Sequence, residues 1–375
     1  MKSKAYRILF VASLFLLPSF FHMNSRSEQN TFERITQNNA EQDEKKILQI
    51  NKELSQLERS MEGLANSTIS KRFIGAVSIA IHYNSELAFE INTGGSKNTT
   101  LFSLASVSKP ITSYAILQLI EYDEIKLTDT VNDLLPELSA QFPTMEGKKI
   151  TVKNLLQHTS GIPYFGSRPI SPAGTRFMYS NYNYKLLSLI IEKVSGLSFG
   201  KFIKENVFLP LDMQDSKISA NSDGASGIMS STKDLANFTS LFVNEGKFKD
   251  EVVLTNSLIR KIFRLPVHVS RTDFMEYYGL GWRVTVEGSR VKHFYHKGMW
   301  DGIFADISIF PSSKSYVIQL TNPPSYKSNG FTSYQGQMSY LANKYIETLE
   351  RLPKGYEINA NARNSMLEDE IAENK

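Results

Sequence analysis

In SLASVSK (103–109), Ser106 is followed three residues later by Lys109, a hydroxyl nucleophile with an amine base in reach. The same spacing occurs at Ser198/Lys201, Ser230/Lys233 and Ser289/Lys292, so context has to separate the four. Ser198 lies in GLSFG (196–200), which has the form of a Gly-x-Ser-x-Gly elbow, but that elbow requires a strand before the serine. The preceding NYKLLSLIIEKVSG has helical periodicity and stops at Gly196, so Ser198 is expected to cap the next helix. Ser230 sits in the Ser/Thr-led helix start SSTKDLANF, and Ser289 in a turn between two strands. Ser106 differs from all three. Pro110, tolerated only in a helix's first turn, puts the start of a helix beside it. The run YAILQLI (114–120) then marks that helix as buried. Ser106 therefore meets the positive end of the helix dipole, its N–H is available as an oxyanion donor, and Lys109 shares its face. Burial lowers the pKa of a lysine, as a base requires.

Two further motifs supply partners. YSN (179–181) is the single Tyr-x-Asn of the chain. Tyr179 can relay protons, and Asn181 can hydrogen-bond a substrate amide or Lys109. HKG (296–298) falls on an expected strand, where alternation sends His296 and Lys297 to opposite faces and Gly298 permits close approach of a substrate backbone.

The elements that must hold these groups follow from pattern. Ile47, Ile50, Leu54, Leu57, Met61 and Leu64 form a stripe on one helix face, expected to pack on a domain rather than to form a coiled coil. FIGAVSIAIHY (73–83) and ELAFEIN (86–92) predict a hairpin turning at Asn84–Ser85. Residues 125–265 read mostly helical, with loops at HTSGIPYFGS and SANSDGASG. GWRVTVEG, RVKHFYH, FADISIF and SYVIQL then read as strands, and a helix over about 334–351 closes the domain. The fold class expected is α/β (α+β): an antiparallel sheet built from both chain ends, flanked by helices, with an inserted all-helical lobe.

Lys2, Lys4 and Arg7 followed by the apolar run 8–21 have the form of a signal peptide or N-terminal anchor over 1–23, a membrane tether if retained. Residues 24–44 read as a polar linker, 45–352 as the catalytic domain, and 353–375 as a disordered tail. This organisation implies an extracytoplasmic protein, whether periplasmic, secreted or membrane-anchored. The chain has 375 residues, no cysteine, six histidines and a net charge of +4. Three of those four charges lie in Lys2, Lys4 and Arg7, so the body of the protein has no electrostatic footprint for nucleic acid. Thiolate chemistry is excluded, no metal site is expected, and no cofactor is called for.

Ser-x-x-Lys, Tyr-x-Asn and His-x-Gly in this order resemble the serine β-lactamase and penicillin-binding protein superfamily, in the branch of class C β-lactamases, D-Ala-D-Ala carboxypeptidases and related esterases. LFSLASVSKPIT, LLQHTSGIP, GTRFMYSNYNYKLLSLIIEKVSG, GIMSSTKDLANF and YGLGWRV are similar to stretches of that family, over roughly residues 70–350. The resemblance implies acylation of Ser106, with Lys109 and Tyr179 sharing base and acid work. It implies Asn181, His296 and Gly298 as substrate-positioning residues, and the N–H groups of Ser106 and Met299 as the oxyanion hole. It implies hydrolysis of D-amino-acid-containing cell-wall peptides, with β-lactams or esters as alternative substrates and a non-catalytic wall-binding protein as the remaining reading. Two departures stand out. His296 replaces the lysine of the β-lactamases, which weakens the attraction for a substrate carboxylate. The loops between HTSGIP and YSN, and between LPLDM and GIMSS, are short, which implies an open cleft.

Overall fold

The computed structural model describes residues 26–71, 74–264, 267–269, 276–288, 290–322, 331–353 and 356. The signal-like segment, the residues after 356 and Ser289 lie outside them. The chain divides into two compact units, Met1–Gln49 and Ile50–Lys375. No helix among the described residues is long and apolar enough to cross a membrane.

Helix α1 (Arg26–Ser70) corrects the linker reading of 24–44 in its conformation: from Arg26 the backbone is helical. The segment is rich in Glu, Gln, Lys and Arg, which form helix without needing an apolar face. In the second unit, Ile50, Leu54 and Met61 are buried in one apolar cluster with Val77, Ile79 and Val317 of the sheet and Met338 and Tyr345 of the last helix. From Ile50 onward the stripe packs on the domain, as expected.

The sheet has eight strands, β1 (Ala76–Tyr83), β2 (Glu86–Thr93), β3 (Val267–His268), β4 (Glu276–Tyr278), β5 (Arg283–Glu287), β6 (Arg290–Trp300), β7 (Ile303–Phe310) and β8 (Ser315–Asn322). Their order is β2-β1-β8-β7-β6-β5-β4-β3, so strands from both chain ends meet where β1 pairs antiparallel with β8. Asn84 and Ser85, with φ of 51° and 68°, form the two-residue turn the sequence suggested. Both sheet faces are covered. Val317 faces the α1 cluster, whereas Tyr316, Ile318 and Leu320 face a second, larger cluster. That second cluster holds α2 (Ser108–Glu121), α3 (Asn181–Ser195) and α4 (Thr232–Val243).

The inserted lobe is not all-helical. It contains a three-stranded sheet in the order Phe102–Ser103, Ile228–Ser230, Lys217–Ile218, and a hairpin of Lys247–Phe248 with Glu251–Val252. Strands of two or three residues carry no readable alternation, and tertiary pairing alone defines them. The short strands β3 and β4 escaped the sequence reading for the same reason.

Because Leu54 is 1% exposed, Leu54→Ala is expected to cost about 2–5 kcal/mol. Urea unfolding should show that loss independently of protein concentration; a loss that vanished at high concentration would indicate a self-associating helix instead.

Candidate active site

The backbone presents Ser106 on a tight bend. After Phe102–Ser103 the chain makes a single 3₁₀ turn, Ala105–Val107, which runs into α2. Ala105 has φ 45°, a left-handed conformation that is uncommon for alanine and typical of strained functional turns. The small sheet holds this bend from both sides: Leu104 N donates to Ile228 O at 2.9 Å, and Ile228 N to Ser108 Oγ at 3.2 Å. Ser106 thus precedes α2 by one turn rather than lying inside it, and Pro110 falls in the first turn of the helix.

Lys109 is fully buried. Its Nζ lies 3.0 Å from Ser106 Oγ and donates to Ala225 O at 3.0 Å. Burial pulls its pKa down to about 7, against the opposing pull of Asp223. The Tyr179 ring centroid is 5.0 Å from the amine. Burial pushes the Tyr179 hydroxyl up to about 12, although Ser106 acts on it so as to favour its ionised form, and it keeps its proton at neutral pH. Asn181 opens α3, and its buried Oδ1 has no hydrogen-bond partner among the described residues. No bond joins it to Lys109, whose amine is engaged by Ser106 and Ala225.

The HKG strand closes the site. A methyl group on Gly298 would come within 2.2 Å of Leu104 O and 2.9 Å of Ser106 N, so only glycine lets β6 lie against the nucleophile's turn. Asp301 and Gly302, with φ of 44° and 84°, form a two-residue turn between Trp300 and Ile303. In such a hairpin the flanking pair is hydrogen-bonded and the next pair is not, so the Met299 N–H points away from β7. The pairing of β5 with β6 ends at Tyr295, which leaves the Met299 N–H facing a side that β5 does not cover. Met299 N–H and Ser106 N–H, the donors the resemblance implies, thus belong to the two segments that meet at Gly298.

His296 joins the cluster differently from its expected role. It is 1% exposed, and burial holds its imidazole neutral. The Lys297 carbonyl at 3.0 Å can only accept, so Nδ1 carries the proton and Nε2, 3.1 Å away, accepts from the Tyr278 hydroxyl. Both ring nitrogens are occupied, and His296 positions Tyr278 rather than offering a free nitrogen to a substrate. Lys297 emerges on the opposite face, 3.9 Å from buried Asp306. Arg283, opposite Tyr278 in the sheet, is paired with Glu276 at 2.7 Å.

The sequence reading assigned no role to His158 or Tyr278. His158 is fully buried with φ 55°, and its ring lies 4.3 Å from Tyr179 and 4.9 Å from Tyr278. Its Nδ1 accepts from Ser180 N at 3.1 Å, fixing the residue between Tyr179 and Asn181. HTSGIP drew notice as a stretch, but nothing local shows that its histidine underlies a tyrosine 21 positions on. Ser198 caps the helix Phe199–Ile203 as expected. In SSTKDLANF the cap of α4 is Ser231, while Ser230 bonds Ser216 Oγ at 2.7 Å.

A half-buried serine and tyrosine around a buried lysine, beside two backbone donors, are equipped for acyl transfer, and comparison with known proteins agrees. The β-lactamase family model matches residues 55–330. The chain belongs to the β-lactamase family. It is a serine hydrolase of the β-lactamase and penicillin-binding protein type. Penicillin-binding protein 4* of Bacillus subtilis (strain 168) is 34% identical over 148 residues, covering 32% of this chain and 31% of that relative. The match thus spans under a third of the relative's length. Among solved structures, a class C β-lactamase is 18% identical with a TM-score of 0.63, covering 77% of this chain and 96% of its own. A D-stereospecific amidohydrolase from Streptomyces sp. is 17% identical with a TM-score of 0.61, covering 80% and 99%. These two share the fold.

Gly298→Ala in this β-lactamase-family chain is expected to lower kcat/KM by about 10²–10³, the usual loss of one oxyanion donor. It should lower Tm as well, because the added methyl forces β6 off the Ser106 turn at a cost of about 1–3 kcal/mol. Unchanged kinetics in that variant would show that the β6 contact with the Ser106 turn is dispensable.

Proposed function

We propose that the protein hydrolyses amide bonds of D-amino-acid-containing peptides, with cell-wall peptides as the substrate class, through an acyl-enzyme on Ser106. The observation that carries this reading is the Asn181 Oδ1, buried and without a partner among the described residues. An unsatisfied buried acceptor costs about 1–3 kcal/mol, and an incoming amide N–H would satisfy it where an ester oxygen would not. The fold shared with a D-stereospecific amidohydrolase and the likeness to a penicillin-binding protein support the same class.

The mechanism follows from the two pKa directions. Lys109, near 7, takes the Ser106 proton as the oxygen attacks the carbonyl carbon. The oxyanion forms against Ser106 N–H and Met299 N–H. Tyr179, still protonated, donates to the leaving amine and is reprotonated from Lys109. Water then releases the acyl group by the reverse proton path.

Recognition of a free terminal carboxylate has less support. His296 is neutral and internally bonded, and Arg283 is matched by Glu276. We therefore favour amides within or at the blocked end of a peptide over strict carboxypeptidase action. The signal-like N-terminus supports placing this reaction outside the cytoplasm.

The test is a matched amide and ester of one D-amino-acid peptide. Asn181→Ala is expected to lower kcat/KM for the amide about 10-fold or more and for the ester far less, with mass spectrometry placing the acyl group on Ser106. Equal losses on both, or acylation by the ester alone, would replace the amidase reading with an esterase.

A further inference from the structure

Five of the ten exposed large hydrophobic side chains among the described residues fall in two short segments near the Ser106 site, Tyr164, Phe165 and Ile170 in one and Met299 and Trp300 in the other. Alternation along β6 puts Trp300 on the Gly298 face and Met299 on the Lys297 face, so Trp300 alone represents the second segment at the site. The other five are scattered singly on separate elements, which is ordinary. Phe165 is 98% exposed and Trp300 72%. Both segments are tied to the reacting groups. The Tyr164 ring stacks on Tyr179 at 6.1 Å, and Phe165 packs edge-on against Tyr164 at 4.6 Å. The loop carrying them is fixed: Ser180 Oγ donates to Pro163 O at 3.1 Å, Gly166 N to Pro163 O at 3.1 Å, and Ile170 N to Gly161 O at 2.9 Å. Met299 and Trp300 directly follow Gly298, which lies against the Ser106 nitrogen, and strand geometry puts Trp300 only about 7 Å further along.

We infer that these two segments form an apolar rim that binds a large apolar group of the substrate beside the scissile carbonyl. The ligand chemistry is an aliphatic chain or an aromatic ring, on the acyl side or on the leaving group. Among the described residues nothing covers these side chains, and their fixed backbones spare the ordering cost that a mobile loop would add on binding. Aromatic anchors of this kind give large contact area with little rotamer loss. The inference rests on the serine-hydrolase site and is independent of the choice between amide and ester.

The experiment measures kcat/KM for p-nitrophenyl acetate, butyrate, hexanoate and octanoate below their micellar concentrations. A second arm compares methyl with benzyl leaving groups on one acyl donor. Wild type is expected to prefer octanoate over butyrate, or benzyl over methyl, by roughly tenfold, below the limit for fully burying four methylenes. Phe165→Ser combined with Trp300→Ser should bring that ratio close to unity, while Tyr122→Ser, an exposed aromatic on another element, should leave the ratio unaltered. A flat profile in both wild-type arms, or a ratio untouched by the double variant, would overturn the inference while leaving the peptide test of Asn181 standing. So would a double variant that changed only sedimentation with phosphatidylglycerol vesicles, since the rim would then be a lipid-docking surface.

Discussion

An ammonium ion taken out of water is costly, and at Lys109 the carboxylate of Asp223 offsets only part of that cost. Its amine is wholly buried, with Ser106 Oγ and the Ala225 carbonyl at 3.0 Å as its partners and aromatic rings around it. The molecule relieves this strain by releasing the proton near neutral pH, and a neutral amine beside a serine hydroxyl is a base ready to act. Everything else in the site depends on keeping that amine dry and in place. The bend at Ala105 aims the serine, the small sheet clamps the bend, Gly298 lets β6 close over it, and the Gly224–Ala225 loop supplies the carbonyl that orients the amine.

The rings of Tyr179, Tyr184 and His158 pack around the amine and the Tyr179 hydroxyl, and burial there fixes acid and base in different roles. Tyr179 and Lys109 share one apolar pocket, yet burial moves their pKa values in opposite directions, because it penalises the charged form of each. That separation, together with His158 beneath Tyr179 and Ser180, converts a cluster of similar-looking polar groups into an ordered proton path.

Much of this was legible in the residues. Pro110 and the apolar run after it singled out Ser106 among four equivalent spacings, and alternation in 76–93 and 283–322 showed a sheet drawn from both chain ends. What stayed hidden has one cause: it exists only through long-range contact. The strands Phe102–Ser103 and Ile228–Ser230 are too short to carry a period, yet their pairing positions the nucleophile. Tyr278 lies on a strand of only three residues, and its hydroxyl decides that His296 is internally satisfied rather than presented to substrate. Over residues 26–44 the helix lacks the apolar face that marks its continuation from Ile47, so composition suggested a polar linker there.

The central claim is that burial makes Lys109 a neutral base at physiological pH. The most direct measurement is an NMR titration of the lysine side chains with ¹³C at Cε, in Ser106→Ala to prevent turnover, with Lys109→Met to assign the signal. The account expects one lysine to titrate near pH 7 and to disappear in the Lys109→Met protein. A Lys109 signal that titrates near the ordinary lysine value of 10.5 would contradict it.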